Sequence, residues 1–193
     1  MKSLILSIIL AYLAGSINFS ILLFKILGKE DPRKEFSGNA GVVNVYRQAG
    51  LQMAALVWIL DMGRSIGVAL VCIYLLSAAL APIGGLALIL GNRFPCFHQF
   101  RGGKGVANYL GFTTIIAPVA AGISALAWLA AFALFRIPFI GSFVMVFILG
   151  LGTLLACNFD PLSTAAVLAT VALIYYGHKR NIVEQIQKRR DKI

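Results

Sequence analysis

Two short stretches of this chain carry the residue types that bind phosphate. The first is Ser37-Gly38-Asn39-Ala40-Gly41-Val42-Val43-Asn44, with Arg47 three residues on. Glycines let successive backbone N–H groups turn toward one anion, and Ser and Asn add neutral donors. An Arg beyond them can clamp a phosphate through two parallel hydrogen bonds. The same residue types also favour a turn followed by a helix cap. The second stretch is Phe100-Arg101-Gly102-Gly103-Lys104-Gly105, preceded by Gly91-Asn92-Arg93-Phe94-Pro95. Here an ammonium sits inside a glycine-rich turn, and an apolar helix is predicted to start at once, where positive helix ends favour phosphate. It is not a P-loop, because the Gly-x-x-x-x-Gly-Lys-Ser/Thr spacing is absent.

A third group stands near the C-terminus as His178-Lys179-Arg180-Asn181-Ile182. His is a natural general base, and equally a common residue at a membrane interface. Arg136 and Ser142 flank the start of another apolar run, where an interfacial anchor and a packing residue would look the same. Asp61 and Arg64 lie one helical turn apart within an apolar run, so they can pair on one face. Charges inside a membrane usually serve function, although a self-neutralised structural pair fits equally. Other chemistries lack their residues. There is no His-Glu-x-x-His zinc helix and no His-x-x-x-x-Asp pair. With only seven acidic residues, no metal site is expected. The three cysteines, Cys72, Cys96 and Cys157, show neither disulfide nor metal spacing.

The elements that must position these groups follow from composition. Of 193 residues, 60% are hydrophobic and 12% charged, too few charges to cover a water-soluble globule. Five apolar stretches are visible at about 3–27, 51–91, 105–135, 137–157 and 161–177. Each crossing needs about 17 to 25 helical residues. The first run reads as one retained helix, too long for a cleaved signal peptide. The second is too long for one crossing and breaks near Ser77–Pro82; the third contains Pro118.

Charge parity sets the count. The net charge is +10, and the bases cluster in the 28–50 loop, the 92–104 loop and the tail after 178, which includes Lys188, Arg189, Arg190 and Lys192. Basic segments stay cytoplasmic. An even number of crossings must then separate them, which splits 51–91 in two and breaks 105–135 at Pro118. The expected architecture is all-α, an integral membrane protein with seven transmembrane helices, N-terminus out and C-terminus in. Two helices, about 83–92 and 105–117, are short and flank the glycine-lysine loop, as a broken pair around a cavity would. Five or six crossings are the rival counts. The whole chain, 1–193, reads as one membrane domain, with 178–193 as a basic cytoplasmic tail.

Together these motifs resemble the PlsY family, the bacterial acyl-phosphate:glycerol-3-phosphate acyltransferases, over nearly the whole chain. Gly15-Ser16-Ile17 is similar to the family's Gly-Ser-Ile-Pro, with Asn18 for Pro. Asp31-Pro32-Arg33 and Ser37 through Asn44 and Arg47 resemble its first signature. Phe94-Pro95 and Phe100 through Ala107 resemble its second. Arg136 with Ser142, and His178 through Ile182, resemble its third and its tail. Asn92 stands where the family usually has His, Arg64-Ser65 where it has Lys-Gly, and Phe139 where a Ser is common.

The resemblance implies acyl transfer from acyl phosphate to the 1-hydroxyl of sn-glycerol 3-phosphate, releasing lysophosphatidic acid and inorganic phosphate, as the first acylation of phospholipid synthesis. It implies a bacterial cytoplasmic-membrane enzyme working on the cytoplasmic side, in contact with membrane lipid. No cofactor, metal or nucleic acid is expected, and a monomer is. On this reading Lys104, His178 and Asn181 are the candidate catalytic residues. Ser37, Gly38, Asn39, Gly41, Asn44, Arg47, Arg101, Gly102, Gly103 and Ser142 join them in substrate binding. Either His178 or the donor's own phosphate would take the hydroxyl proton. A carrier for a phosphate-bearing anion is the alternative class; it predicts an inverted repeat, and none is visible.

The parity argument is open to test. A tag ahead of Met1 is expected to react with a membrane-impermeant label from outside the cell; reaction only from the inside would rule out the seven-helix arrangement.

Overall fold

The computed structural model describes residues 1–190. Lys192 of the expected basic tail lies outside the described residues, as do the side chains of Lys188 and Arg189. The described residues form nine α-helices and no strand: α1 Lys2–Ser16, α2 Phe19–Ile26, α3 Val42–Leu75, α4 Ala81–Arg93, α5 Val106–Ile116, α6 Pro118–Phe135, α7 Pro138–Ala156, α8 Pro161–Gly177 and α9 Lys179–Arg190. Single 3₁₀ turns at Pro32–Lys34 and Cys96–His98 punctuate the two basic loops.

Proline sets the start of four helices. It occupies the first turn of α4, α6, α7 and α8, where its missing N–H would have no intrahelical partner. The breaks expected near Ser77–Pro82 and at Pro118 both occur, and the two short helices emerge as α4 and α5. Two expectations need correction. The first apolar run is not one helix: it bends by 41° between α1 and α2. Asn18 causes the break. Its backbone is extended and its side chain accepts the Ile21 N–H at 3.1 Å, capping a new helix. Hydrophobicity does not change across this point, so the break leaves no trace in an apolar count. The 28–50 loop is also shorter than expected. Helix α3 already begins at Val42 and kinks at Gly50, whose φ is 77°.

Helices α3, α6 and α7 are each long and apolar enough to cross a bilayer, and α1 with α2 makes a bent fourth. Helix α4 has 13 residues, about 20 Å at 1.5 Å per residue, well short of a hydrocarbon core of about 30 Å. Large side chains such as Leu126, Leu134, Phe147 and Leu168 are exposed on the outer surface, as lipid contact requires.

Reciprocal glycines bring α1 close against α4. A Cβ on Gly15 would lie 2.2 Å from the Leu88 carbonyl oxygen, and one on Gly91 would lie 2.1 Å from that of Tyr12. Both obstacles are backbone, so neither can move aside. Small residues allow this close approach in lipid, where van der Waals contact replaces the hydrophobic effect as the driving force. Tyr12 then reaches past the end of α4 and donates its hydroxyl to the Phe94 carbonyl at 2.8 Å.

A buried ion pair fixes α3 against the other helices. Asp61 and Arg64 pair at 3.0 Å. Arg64 also donates to the Ile17 carbonyl at the α1–α2 break and to Asn108 Oδ1 on α5. The pair thus acts as a bracket across three segments. Helices α4 and α8 run parallel. Ser163 donates to the Ala79 carbonyl at 2.5 Å near their starts, while Arg93 and Gly177 meet at their ends. Both basic loops and α9 are therefore gathered at one end of the bundle. Replacing Gly91 by Ala is expected to cost about 1–3 kcal/mol through overpacking, read as a lowered thermal midpoint in detergent; an unchanged midpoint would contradict the close α1–α4 contact.

Candidate active site

The gathered loops enclose a cavity of about 670 Å³. Its walls come from both basic loops, from the starts of α5 and α7, and from the α8–α9 junction.

The first loop is held by polar side chains. Asp31 accepts hydrogen bonds from the Arg33 backbone N–H and Nε, both at 2.9 Å. The hydrogen bonds from Arg33 hold the Asp31 carboxyl below its usual pKa. Arg33 Nη1 reaches across to the second loop and donates to the carbonyls of His98 at 2.8 Å and Arg101 at 2.7 Å. Asn44, expected as a substrate ligand, is occupied. Its Nδ2 donates to the Pro32 carbonyl at 2.7 Å, and its Oδ1 accepts from Ser37 Oγ at 3.0 Å. It shapes the loop and presents Ser37. Asn18 Nδ2 donates to the Ala40 carbonyl at 3.3 Å and ties this loop to α2.

The second loop differs from the anion-binding nest expected of its glycines. The Gly102 N–H donates to the Arg93 carbonyl at 3.2 Å and the Gly103 N–H to the Asn92 carbonyl at 2.9 Å. Both are committed to the C-terminal end of α4. A Cβ on Gly102 would lie 2.0 Å from the Asn92 carbonyl oxygen, so the glycine permits contact with a helix end. Gly103 does line the cavity, whereas Gly38, Arg101 and Gly102 do not. Gly38 adopts a φ of +63° beside the Arg180 guanidinium. The Arg101 side chain is exposed, and its carbonyl receives Arg33.

Ser37, Asn39, Gly41, Asn44, Arg47, Lys104, Ser142, His178 and Asn181 share the cavity wall. Lys104 is central. Its ammonium donates to Asn181 Oδ1 and stands 3.3 Å from His178 Nδ1. Burial, helped by the neighbouring Arg93 charge, pulls its pKa down to about 8. The ammonium thus sheds its proton far more readily than a solvated lysine. Burial together with the Lys104 charge drives His178 down to about 3, so its ring is neutral at physiological pH. The ammonium can only donate, so it takes the Nδ1 lone pair and leaves the ring proton on Nε2. That atom is buried with no hydrogen-bond partner among the described residues. Phe143 packs edge-on against the ring, with centroids 5.4 Å apart. Ser142 donates to the Pro138 carbonyl at 3.2 Å.

Arg136 joins Arg47 and Lys104 on the wall. The acidic residues there are engaged, Asp61 with Arg64 and Glu184 with Arg180. Away from these cations the wall is apolar, with Trp58, Leu110, Trp128, Leu129 and Met145. Sequence reasoning gave the tryptophans no role and did not count Arg33 or Asn18 among the site residues. Arg33 acts on backbone carbonyls of a distant loop, and no spacing rule reports such a partner.

A family model described as glycerol-3-phosphate acyltransferase matches residues 5–188. A glycerol-3-phosphate acyltransferase of Pseudomonas paraeruginosa is 35% identical over 175 residues, 90% of this chain and 91% of that one. One of Neisseria meningitidis is 32% identical over 199 residues, 97% of this chain and 96% of the other. The fold is similar to a crystal structure of PlsY, an integral membrane glycerol 3-phosphate acyltransferase, in its glycerol 3-phosphate form. The TM-score is 0.88 at 32% identity, covering 97% of this chain and 94% of that one. A lysophosphatidic acid form of PlsY matches with a TM-score of 0.86. With a family match across nearly its whole length and a shared fold at this identity, the chain is an integral membrane acyltransferase and belongs to the PlsY family of glycerol-3-phosphate acyltransferases.

Proposed function

We propose that the chain transfers an acyl group from acyl phosphate to the 1-hydroxyl of sn-glycerol 3-phosphate, in a bacterial cytoplasmic membrane and with the cavity facing the cytoplasm. The observation that carries this reading is one cavity with two characters. Arg47, Lys104 and Arg136 supply cations, and Trp58, Trp128 and Leu129 supply an apolar wall. A phosphate ester and an acyl chain can both be satisfied there. The names of the family relatives support glycerol 3-phosphate as acceptor, and the lysophosphatidic acid form of PlsY supports that product.

Two phosphate-bearing substrates repel each other. A cationic, partly dehydrated wall offsets that repulsion and holds the reactants close. Lys104, Arg47 and the Ser37–Asn39 segment hold one phosphate in this scheme. Ser142, His178 and Asn181 hold the glycerol phosphate, with Asn44 as the residue that positions Ser37. The acceptor hydroxyl oxygen attacks the acyl carbon. The bond from that carbon to the phosphate oxygen breaks, and inorganic phosphate departs with the hydroxyl proton. The donor's own phosphate is the base. The protonation of His178 favours this assignment, because its Nδ1 faces an ammonium and its Nε2–H is a donor. His178 then serves as a hydrogen-bond donor to a substrate oxygen.

Seven crossings, with the N-terminus out and the C-terminus in, complete the proposal. The convergence of both basic loops on one cavity supports the even parity between them. A single membrane-embedded domain acting as a monomer is part of the same reading.

Purified protein in detergent is expected to release phosphate and lysophosphatidic acid from acyl phosphate and glycerol 3-phosphate, and to do nothing with acyl-CoA in place of acyl phosphate. Replacing Lys104 by Ala is expected to lower turnover by about 10²-fold or more; near-normal turnover would remove Lys104 from the mechanism. Lys104 is charged below its pKa of about 8 and neutral above it. Affinity for acyl phosphate is therefore expected to weaken as pH rises through the alkaline range. In His178→Ala the rate should fall without loss of any acidic limb of the pH–rate profile. Disappearance of such a limb, present in the unaltered protein, would make His178 the base instead.

A further inference from the structure

A second hollow, about 560 Å³, lies at the same end of the bundle, between the end of α4 and the α8–α9 junction. It does not open on the residues assigned to substrates. Arg93, Tyr176, Lys179, Arg180 and Val183 line it, with Glu184 as the one acidic residue. Glu184 is already paired with Arg180 at 2.7 Å. Among the described residues, no carboxylate pairs with Arg93 or Lys179. The Arg93 Nε is buried and has no hydrogen-bond partner among the described residues. A buried guanidinium donor left unpaired is costly, so an acceptor brought to this hollow would complete it. Phosphate oxygens match a guanidinium and a nearby ammonium in both charge and geometry.

The rim identifies the source of that phosphate. Tyr176 and Val183, which line the hollow, are 63% and 45% exposed, and Ile186 one turn further along α9 is 49% exposed. An aromatic residue at a helix end, next to cations and to the apolar residues of a basic helix, is the pattern of a membrane–water interface. A soluble phosphate needs no such rim. We propose that this hollow binds the headgroup phosphate of an anionic phospholipid from the adjoining leaflet, with Arg93 and Lys179 as its main ligands. The lipid chains run past Tyr176 and Val183. The bound headgroup also lies next to the substrate cavity: Arg93 and Lys104 both approach Gly177, at 3.9 Å and 3.6 Å from where a Cβ would stand.

The full chain in neutral detergent tests this without substrates. Dihexanoyl phosphatidylglycerol is expected to raise the thermal midpoint by selective binding to the folded state. The rise should persist in Lys104→Ala, shrink in Lys179→Gln and vanish in Arg93→Gln/Lys179→Gln. Dihexanoyl phosphatidylcholine and inorganic phosphate should give no rise that depends on Arg93 and Lys179. Persistence of the full rise in the double variant overturns the proposal. So does an equal rise with phosphatidylcholine, or a phosphate-induced rise that the double variant abolishes. If the double variant does not fold, exposed Lys179 carries the test alone, and an undiminished rise in Lys179→Gln overturns the assignment.

Discussion

The carbonyl groups at the end of α4 must be satisfied without bulk water. This helix is too short to cross a bilayer, and its last turn is packed among other segments. Carbonyls buried there without partners would each cost free energy comparable to a lost hydrogen bond. The chain solves this by folding back on itself. The N–H groups of Gly102 and Gly103 donate to the carbonyls of Arg93 and Asn92. Only glycine allows that approach, because a Cβ on Gly102 would collide with the Asn92 carbonyl. The next residue is Lys104, and its position is a direct result. Arg33 then holds the same loop from the other side. The glycines are therefore chiefly structural, and what they place at the cavity wall is the charge of Lys104.

The environment of Lys104 gives the cavity its electrostatic character. Burial and a neighbouring cation loosen the proton on the ammonium, while that ammonium in turn keeps His178 neutral. Charge is concentrated on a few side chains, while the carboxylates beside them, Asp61 and Glu184, are paired with Arg64 and Arg180. Such a site is strained by its own repulsion when empty and relieved when an anion enters. The Asp61–Arg64 pair plays the opposite role. It is internally neutral and joins the α1–α2 break to α3 and α5.

Much of this organisation was legible in the sequence. Prolines and charge parity located the breaks at Ser77–Pro82 and Pro118, because both rest on rules that act within a few residues or on whole loops. The short helices around the glycine-lysine loop followed from those breaks. Asn18 was invisible as a helix break because capping depends on one hydrogen bond in the middle of an even apolar run. Asn44 and Gly102 were singled out for an anion, and the fold engages them within the chain, Asn44 with Pro32 and Ser37 and the Gly102 N–H with the Arg93 carbonyl. A residue type that suits an anion also suits a buried backbone group, and the choice is made by whichever partner the fold brings within reach. Arg33 and the tryptophans depend wholly on contacts made across the chain, which no local pattern records.

The glycine contact between α1 and α4 also bears on how the protein is made. Gly91 emerges from the ribosome about 75 residues after Gly15, roughly 4 to 15 s later at ordinary synthesis rates of about 5–20 residues per second. During that interval α1 has no α4 to pack against, and its flat glycine face meets only lipid or the insertion machinery. Helix α3 is complete by then, so the bracket from Arg64 to the Ile17 carbonyl can hold the end of the first helix before α4 is made. The first helix synthesised is thus docked late, and the order of assembly in the membrane is not the order of the chain.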